Sequence, residues 1–418
     1  MRGNYKVKII KKNKDFENLN DEMNEITHDI EFTDEKEETI IYFEGFSSRH
    51  AYNKEDLNKK VKDLFESCNI NFLIGSGYCY EKLKTLGDLE SLIEENSVIN
   101  RNNKNNKTAV DALILYHFFL NSIYPHAQDL ELKYSFENSN RFIINLASLL
   151  SDRNDKNLLK RINLFTTNYD MYFELSLEAN NIYYNDGFSG RLSPVFSTDN
   201  YNRIGKQIVQ NTERESQIPT INLFKLHGSL AWENISGKIK YRTNISEVLK
   251  TIEMSSEIFN DNWFSYDKLS NPSIYKSIEM INKNKIKFSR GLIDKINKFI
   301  EAYEKLHIIN PTKKKFEETL LSNIYYDLLR MYSNELEKNN TAIFVFGFSF
   351  KDEHIYSITK RALANPSMIM YIFIHNEKNL DDFKEKFKDY SNVFYIYCKN
   401  KNIDLSEFTS LVFGDSYE

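Results

Sequence analysis

Four short segments carry side chains able to do chemistry, and each stands where an apolar run stops. Phe72-Leu-Ile-Gly-Ser-Gly77 ends in a glycine-rich turn, and Phe165-Thr-Thr-Asn-Tyr-Asp170 ends in an amide and a carboxylate. Phe224-Lys-Leu-His-Gly-Ser229 ends in an imidazole, and Ile343-Phe-Val-Phe-Gly-Phe-Ser-Phe350 in a hydroxyl. The apolar, β-branched and aromatic parts predict buried strands of a parallel sheet. Their polar residues then fall at strand carboxyl ends, where open α/β sheets hold their ligands. Converging on one crevice, they form a constellation for handling a dinucleotide.

Each segment has a chemical reading and a plainer one. Gly75, Ser76 and Gly77 let backbone N–H groups and a following helix N-terminus approach a pyrophosphate. A strict Gly-x-Gly-x-x-Gly fails at Tyr80, and an ordinary strand–helix turn also fits. Asn168, with Thr167 beside it, offers donor and acceptor to a ribose hydroxyl, a carboxamide or a water. Asp170 is either a catalytic carboxylate or the cap of the helix through Met171-Tyr-Phe-Glu174. His227 suits a general base near neutral pH, whereas His50, His117 and His307 are read as structural. Gly347 permits a tight turn, and Ser349 can bond a phosphate or ribose. Asn376, after the run Met368–Ile374, holds an adenosine ribose or merely turns the chain. Asp352 and His354 hint at metal ligation, but two residues without partners make a poor site, so no metal is expected.

These segments need a scaffold, which the periodicity supplies. Helical spacing covers 54–68, much of 81–150, and 291–305 and 314–337. Strands are expected at 70–74, 162–167, 221–226, 342–347, 368–374 and 393–397, with another at Leu306–Asn310. The expected architecture is an α/β, Rossmann-like doubly wound parallel sheet. It forms a domain over 51–418 with helical insertions at about 81–158 and 236–335. Residues 1–50 form an N-terminal arm, polar and acidic near Asp34–Glu38, with one strand-like run at Thr39–Phe43.

The composition narrows the function. The 418 residues suffice for a full α/β core, and the 30 Phe and 26 Tyr must fill much of it. Six Pro and 13 Gly argue against long disordered linkers. The formal charge of -5 disfavours direct nucleic-acid binding, which usually brings a basic excess. Cys68, Cys79 and Cys398 form no Cys-x-x-Cys pair, which suits a reducing cytosol. No apolar run approaches a membrane span, and no signal-peptide core follows Met1. A cytoplasmic protein is expected.

In combination, Asn168 in Thr-Thr-Asn-Tyr-Asp, His227 in Leu-His-Gly and Ser349 in Gly-Phe-Ser resemble the sirtuin family, in the same order. The resemblance covers about 70–415 and is nearer to bacterial sirtuin-like proteins of anti-phage defence than to protein deacylases. It implies NAD as substrate and cleavage of its nicotinamide–ribose bond. Asn168, His227 and Asp170 are then the catalytic candidates, and Gly75, Ser76, Gly77, Thr167, Gly347, Ser349 and Asn376 the NAD-binding ones. The four-cysteine zinc module of the deacylases is missing, and Leu83-Lys-Thr-Leu-Gly-Asp-Leu89 departs from their nicotinamide loop. Cys79 stands where the family often has Ser. Water therefore replaces an acyl-peptide as acceptor. The resemblance also implies a homo-oligomer and a HerA-like ATPase partner. A non-catalytic NAD-sensing or ADP-ribose-sensing subunit is the competing expectation.

Overall fold

The strand that precedes the glycine turn, β3 (Asn69–Ile74), lies inside the main sheet, and every one of its residues from Ile70 to Ile74 is buried. The computed structural model describes residues 41–44, 49–52, 54–79, 96, 99–100, 103–125, 137–154, 158–209, 214–242, 244–260, 271–308, 320–399 and 401–414. Most of the expected arm lies outside the described residues, as does Leu83–Leu89.

The other strands of the main sheet are β1 (Ile41–Glu44), β2 (Arg49–Tyr52), β4 (Arg161–Thr166), β5 (Tyr184–Asn185), β10 (Thr220–Lys225), β13 (Thr341–Phe346), β14 (Met368–Phe373) and β15 (Val393–Cys398). Their order is β2-β1-β15-β14-β13-β3-β4-β10-β5. All neighbours from β15 to β5 are parallel, whereas β1 pairs antiparallel with β15 and with β2. After β3 the chain builds outward through β4 and β10; later it returns to β3's other side and builds through β13, β14 and β15. The reversal between β3 and β13 is the topological switch point of a Rossmann-like sheet, where such folds bind ligands.

Alternation along the strands loads two faces. On one, Phe72, Phe344 and Ile396 pack under the helices Lys54–Ser67, Glu137–Asp152 and Leu405–Phe413. Phe72 stacks on Phe344 at 5.1 Å and Phe344 on Tyr371 at 5.4 Å. On the other, Leu73, Phe165, Phe224 and Val345 pack under the helices Leu320–Leu336 and Glu353–Leu363. This second face carries a polar seam that the apolar runs did not predict. Asn163 Nδ2 donates to Asn71 Oδ1 at 2.9 Å, and Asn222 Nδ2 to Asn163 Oδ1 at 2.9 Å. Glu335 Oε2 accepts from Asn163 at 3.0 Å. The three asparagines are in register across β3, β4 and β10. A one-residue slip would turn each onto the other face, so the seam specifies register.

Between β5 and the helix Ile245–Ser255, the chain makes short strands absent from the sequence reading. β6 (Phe188–Ser189), β7 (Val195–Phe196), β11 (Trp232–Ile235) and β12 (Lys238–Tyr241) form a small sheet, and β8 (Lys206–Val209) pairs with β9 (Arg214–Gln217). A third apolar cluster joins the helices Lys104–Phe118, Ile245–Ser255, Asn271–Asn282 and Arg290–Tyr303. It reaches the loops after β4 and β10 through Met171, Leu230 and Ala231, so a helical lobe covers those strand ends. Within Leu306–Asn310, expected as a strand, the described residues show only a bridge from Ile308 to Gly228. No helix among the described residues is long and apolar enough to cross a membrane.

Candidate active site

Strand register brings the polar ends to one height. Ile74 pairs with both Thr166 and Phe346, and Thr166 pairs with Lys225. Ser76, Asn168, His227 and Phe348 each follow these ends by two residues and therefore stand along one edge of the sheet.

At the switch point, two turns interlock through backbone alone. Gly75 N–H donates to the Phe346 carbonyl at 3.0 Å, and Gly77 N–H to the Gly347 carbonyl at 2.9 Å. A Cβ on Gly75 would lie 2.5 Å from the Gly347 oxygen, and one on Gly347 2.5 Å from Tyr78 N. Gly347 also has φ +66°, a left-handed conformation natural to glycine. The N–H groups of Gly75 and Gly77, expected to face a pyrophosphate, are thus occupied by the β13 turn. The space left by each missing side chain is filled by the opposite turn, so these glycines serve the interlock. Ser76–Cys79 is a single 3-10 turn, with Ser76 exposed; the helix expected after it lies outside the described residues. Ser349 is exposed just beyond Gly347.

The β4 end is organised by side chains. Thr166 Oγ1 donates to the Ile74 carbonyl at 2.9 Å and accepts the Asn168 N–H at 3.0 Å. Thr167 N–H donates to the same carbonyl at 3.3 Å. Asn168 is buried, and its Nδ2 donates to the Gly75 carbonyl at 3.1 Å. That bond orients the amide and leaves Oδ1 as its acceptor. Asp170, also buried, accepts Tyr78 O–H at 2.7 Å and Tyr172 N–H at 3.1 Å on one oxygen. It therefore turns the chain into the helix Tyr172–Ala179 and ties that turn to the glycine turn.

Lys225 is a residue that sequence reasoning missed. It is buried at the end of β10, and its Nζ donates to the Asp170 carbonyl and, at 3.4 Å, to the Asn168 carbonyl. Glu174 Oε2 lies 3.1 Å away, off the hydrogen-bond axis, as a buried ion-pair partner. Burial outweighs the lysine's charge and pushes the Glu174 carboxyl up to about 7. The signal was present: a lysine inside an apolar strand needs buried partners, because an isolated buried charge is prohibitively costly.

His227 follows the same strand. Its Nε2 lies 3.1 Å from Asp352 Oδ2, and its ring centroid 6.2 Å from that of Tyr325. Asp352 Oδ1 accepts the N–H groups of His354 and Ile355 at 3.0 Å each, capping the helix Glu353–Leu363. Burial raises the Asp352 carboxyl, but the bond to His227, that ring's charge and the Ile355 N–H together hold it below its ordinary range. Gly228 must be glycine, since its φ is +81° and a Cβ would strike the His307 carbonyl. Burial, then the charge of Arg242, pushes the His307 imidazole down to about 4, which keeps it neutral at neutral pH.

Asn376 stands apart from Asn168 and His227, beyond the end of β14. It accepts Lys378 N–H at 3.0 Å and donates to Asn402 Oδ1 at 2.7 Å, so it caps a short turn. Among the described residues, no three His, Cys, Asp or Glu side chains gather as metal ligands.

A SIR2-like domain family model matches residues 162–262, from β4 past β10 and through the helix Ile245–Ser255. The match supports a sirtuin-like family with NAD-related activity, and it contains both Asn168 and His227. No curated protein matches the chain.

Proposed function

We propose that the protein is an NAD glycohydrolase, in which water cleaves the nicotinamide–ribose bond. The observation that carries this reading is the placement of Asn168 and His227 at equal height past adjacent parallel strands, inside the SIR2-like span. Nicotinamide leaves with the electron pair of the broken C–N bond, which neutralises its pyridinium nitrogen. Water's oxygen bonds the ribose carbon, and its proton passes to His227 and then to solvent. The products are ADP-ribose, nicotinamide and a proton. The centre passes through an oxocarbenium-like state, as in glycoside hydrolysis.

In this reading Asn168 Oδ1 binds the nicotinamide ribose or the attacking water. The interlocked turns at Gly75 to Gly77 and at Gly347 stand beside the pyrophosphate. Thr167, Ser76, Ser349 and Asn376 line the remainder of the dinucleotide path. The resemblance adds a setting: NAD depletion in anti-phage defence by abortive infection, in a homo-oligomer controlled by a HerA-like ATPase, without a metal.

The test is to incubate the full chain with NAD and follow nicotinamide and ADP-ribose, alone and with the candidate ATPase. His227→Ala is expected to lower the rate by about 10²–10⁴-fold, the usual worth of a positioned acid–base group, and Asn168→Ala to lower it comparably, each in protein that still folds cooperatively. NAD binding without cleavage under every condition would leave a sensing module and overturn the hydrolase.

A further inference from the structure

We propose that Asp352 is the positioning residue of His227: it selects the tautomer whose Nδ1 takes the proton. The inference rests on the hydrolase reading for its catalytic consequence, but its structural half stands alone.

Asp352 sits 125 residues from His227 in sequence, and the two side chains meet at 3.1 Å, each one-fifth exposed. The two oxygens of the carboxylate are divided between two tasks. Oδ1 takes the N–H groups of His354 and Ile355 at the start of the helix Glu353–Leu363, which locks the side-chain rotamer. Oδ2 is thereby aimed at Nε2. An ionised carboxylate only accepts, so Nε2 must carry the hydrogen. The proton on one imidazole nitrogen determines which nitrogen remains basic, and here that is Nδ1. No other hydrogen bond to the His227 ring occurs among the described residues.

The other groups around the pair fit this assignment. From the helix Leu320–Leu336, Tyr325 faces both His227 and His354, at 6.2 and 6.3 Å between centroids. Burial first, then the charge of Asp352, raises the Tyr325 phenol, so it stays neutral and does not compete for the carboxylate's charge. The His354 residue is exposed, and besides its N–H to Asp352 Oδ1 its ring lies near enough for its charge to favour the ionised carboxylate.

Asp352→Asn separates the two tasks. Asparagine caps a helix as well as aspartate does, so the fold is kept. With its oxygen on the helix N–H groups, the new amide presents N–H to Nε2, which can then only accept. The tautomer inverts and Nδ1 carries the hydrogen. In Ser-His-Asp enzymes the equivalent inversion lowers kcat about 10⁴-fold without moving the residues.

The experiment uses full-length protein with ¹⁵N-labelled histidine. His227 is assigned by the signal lost in His227→Gln, among eight histidines. The wild type is expected to show a protonated Nε2 and a bare Nδ1, and Asp352→Asn the reverse. NAD cleavage should fall at least about 10²-fold at unchanged melting temperature. Asp352→Ser, which also caps but does not reach the ring, should lose the tautomer preference and the rate together. An unchanged tautomer in Asp352→Asn, or a rate equal to or above wild type, would overturn the proposal. A wild type without NAD cleavage would fail the hydrolase reading instead, and the tautomer measurement would still decide the pairing.

Discussion

The two strand pairs that end at the candidate site are built by opposite means. Between β3 and β13, Gly75, Gly77 and Gly347 interlock through backbone hydrogen bonds with no room for a Cβ. Between β4 and β10, the same height is held by Thr166, Asn168, Lys225 and Glu174, all buried and polar. The first pair is sensitive to volume and indifferent to charge; the second is sensitive to charge. Interlocked backbone fixes how two strand ends sit together, whereas oriented amide, imidazole and carboxylate groups suit bond breaking.

The largest expected break of this contrast is Lys225→Met. It removes the cation that neutralises Glu174 and holds two loop carbonyls, and breaking a buried pair on one side costs about 3–5 kcal/mol. Urea denaturation measures the loss. Adding Glu174→Leu should recover most of the stability, because a packed apolar pair replaces a buried ionic one at little net cost. NAD cleavage should stay low in the double variant, since the Asn168 and Asp170 carbonyls lack their donor. Recovery of activity along with stability would show that Lys225 does not shape the loop.

A smaller effect is expected from Gly347→Ala. The left-handed backbone alone costs a non-glycine residue about 1–3 kcal/mol, and the new Cβ adds its contact with Tyr78 N. Ser349→Ala, two residues on and exposed, should stay within about 0.5 kcal/mol. Thermal melts of the pair locate the volume-sensitive point; equal stability would deny the interlock.

The last effect is a pH slope. The Glu174 carboxyl is pushed up to about 7 in the fold, from an ordinary 4.5. Below 4.5 both folded and unfolded chains hold the proton. Between the two values the folded chain keeps a proton that the unfolded chain has lost, so this group's contribution to stability falls as pH rises across that window. Above about 7 the penalty is constant. Glu174→Gln should flatten the slope in denaturation midpoints between pH 4.5 and about 7, and an unchanged slope would remove Glu174 as its source.

Much of the scaffold was legible. The apolar runs at 70–74, 162–167, 221–226, 342–347, 368–374 and 393–397 correspond to β3, β4, β10, β13, β14 and β15. Each is a mostly buried, apolar-rich run cut off by glycine or polar residues, which is a local signal. The two-residue strands β5, β6 and β7 were not legible, because pieces so short have no period to read. Nor was the asparagine seam: Asn71, Asn163 and Asn222 each look like an isolated interruption of an apolar run until the strands lie in register.

By itself, the sequence determined the six long parallel strands, the fold class, and the presence of a glycine turn, an amide and an imidazole at strand ends. These follow from alternation and punctuation within a few residues, where the chain's own periodicity sets which side is buried. Only the tertiary structure decided what each group meets. It occupied the Gly75 and Gly77 N–H groups with β13, buried Lys225 against Glu174 and two carbonyls, and joined His227 to Asp352. Such pairings depend on strand order and on which loops converge at the switch point. They join residues tens to hundreds of positions apart, and no local pattern encodes which distant partner satisfies a buried charge.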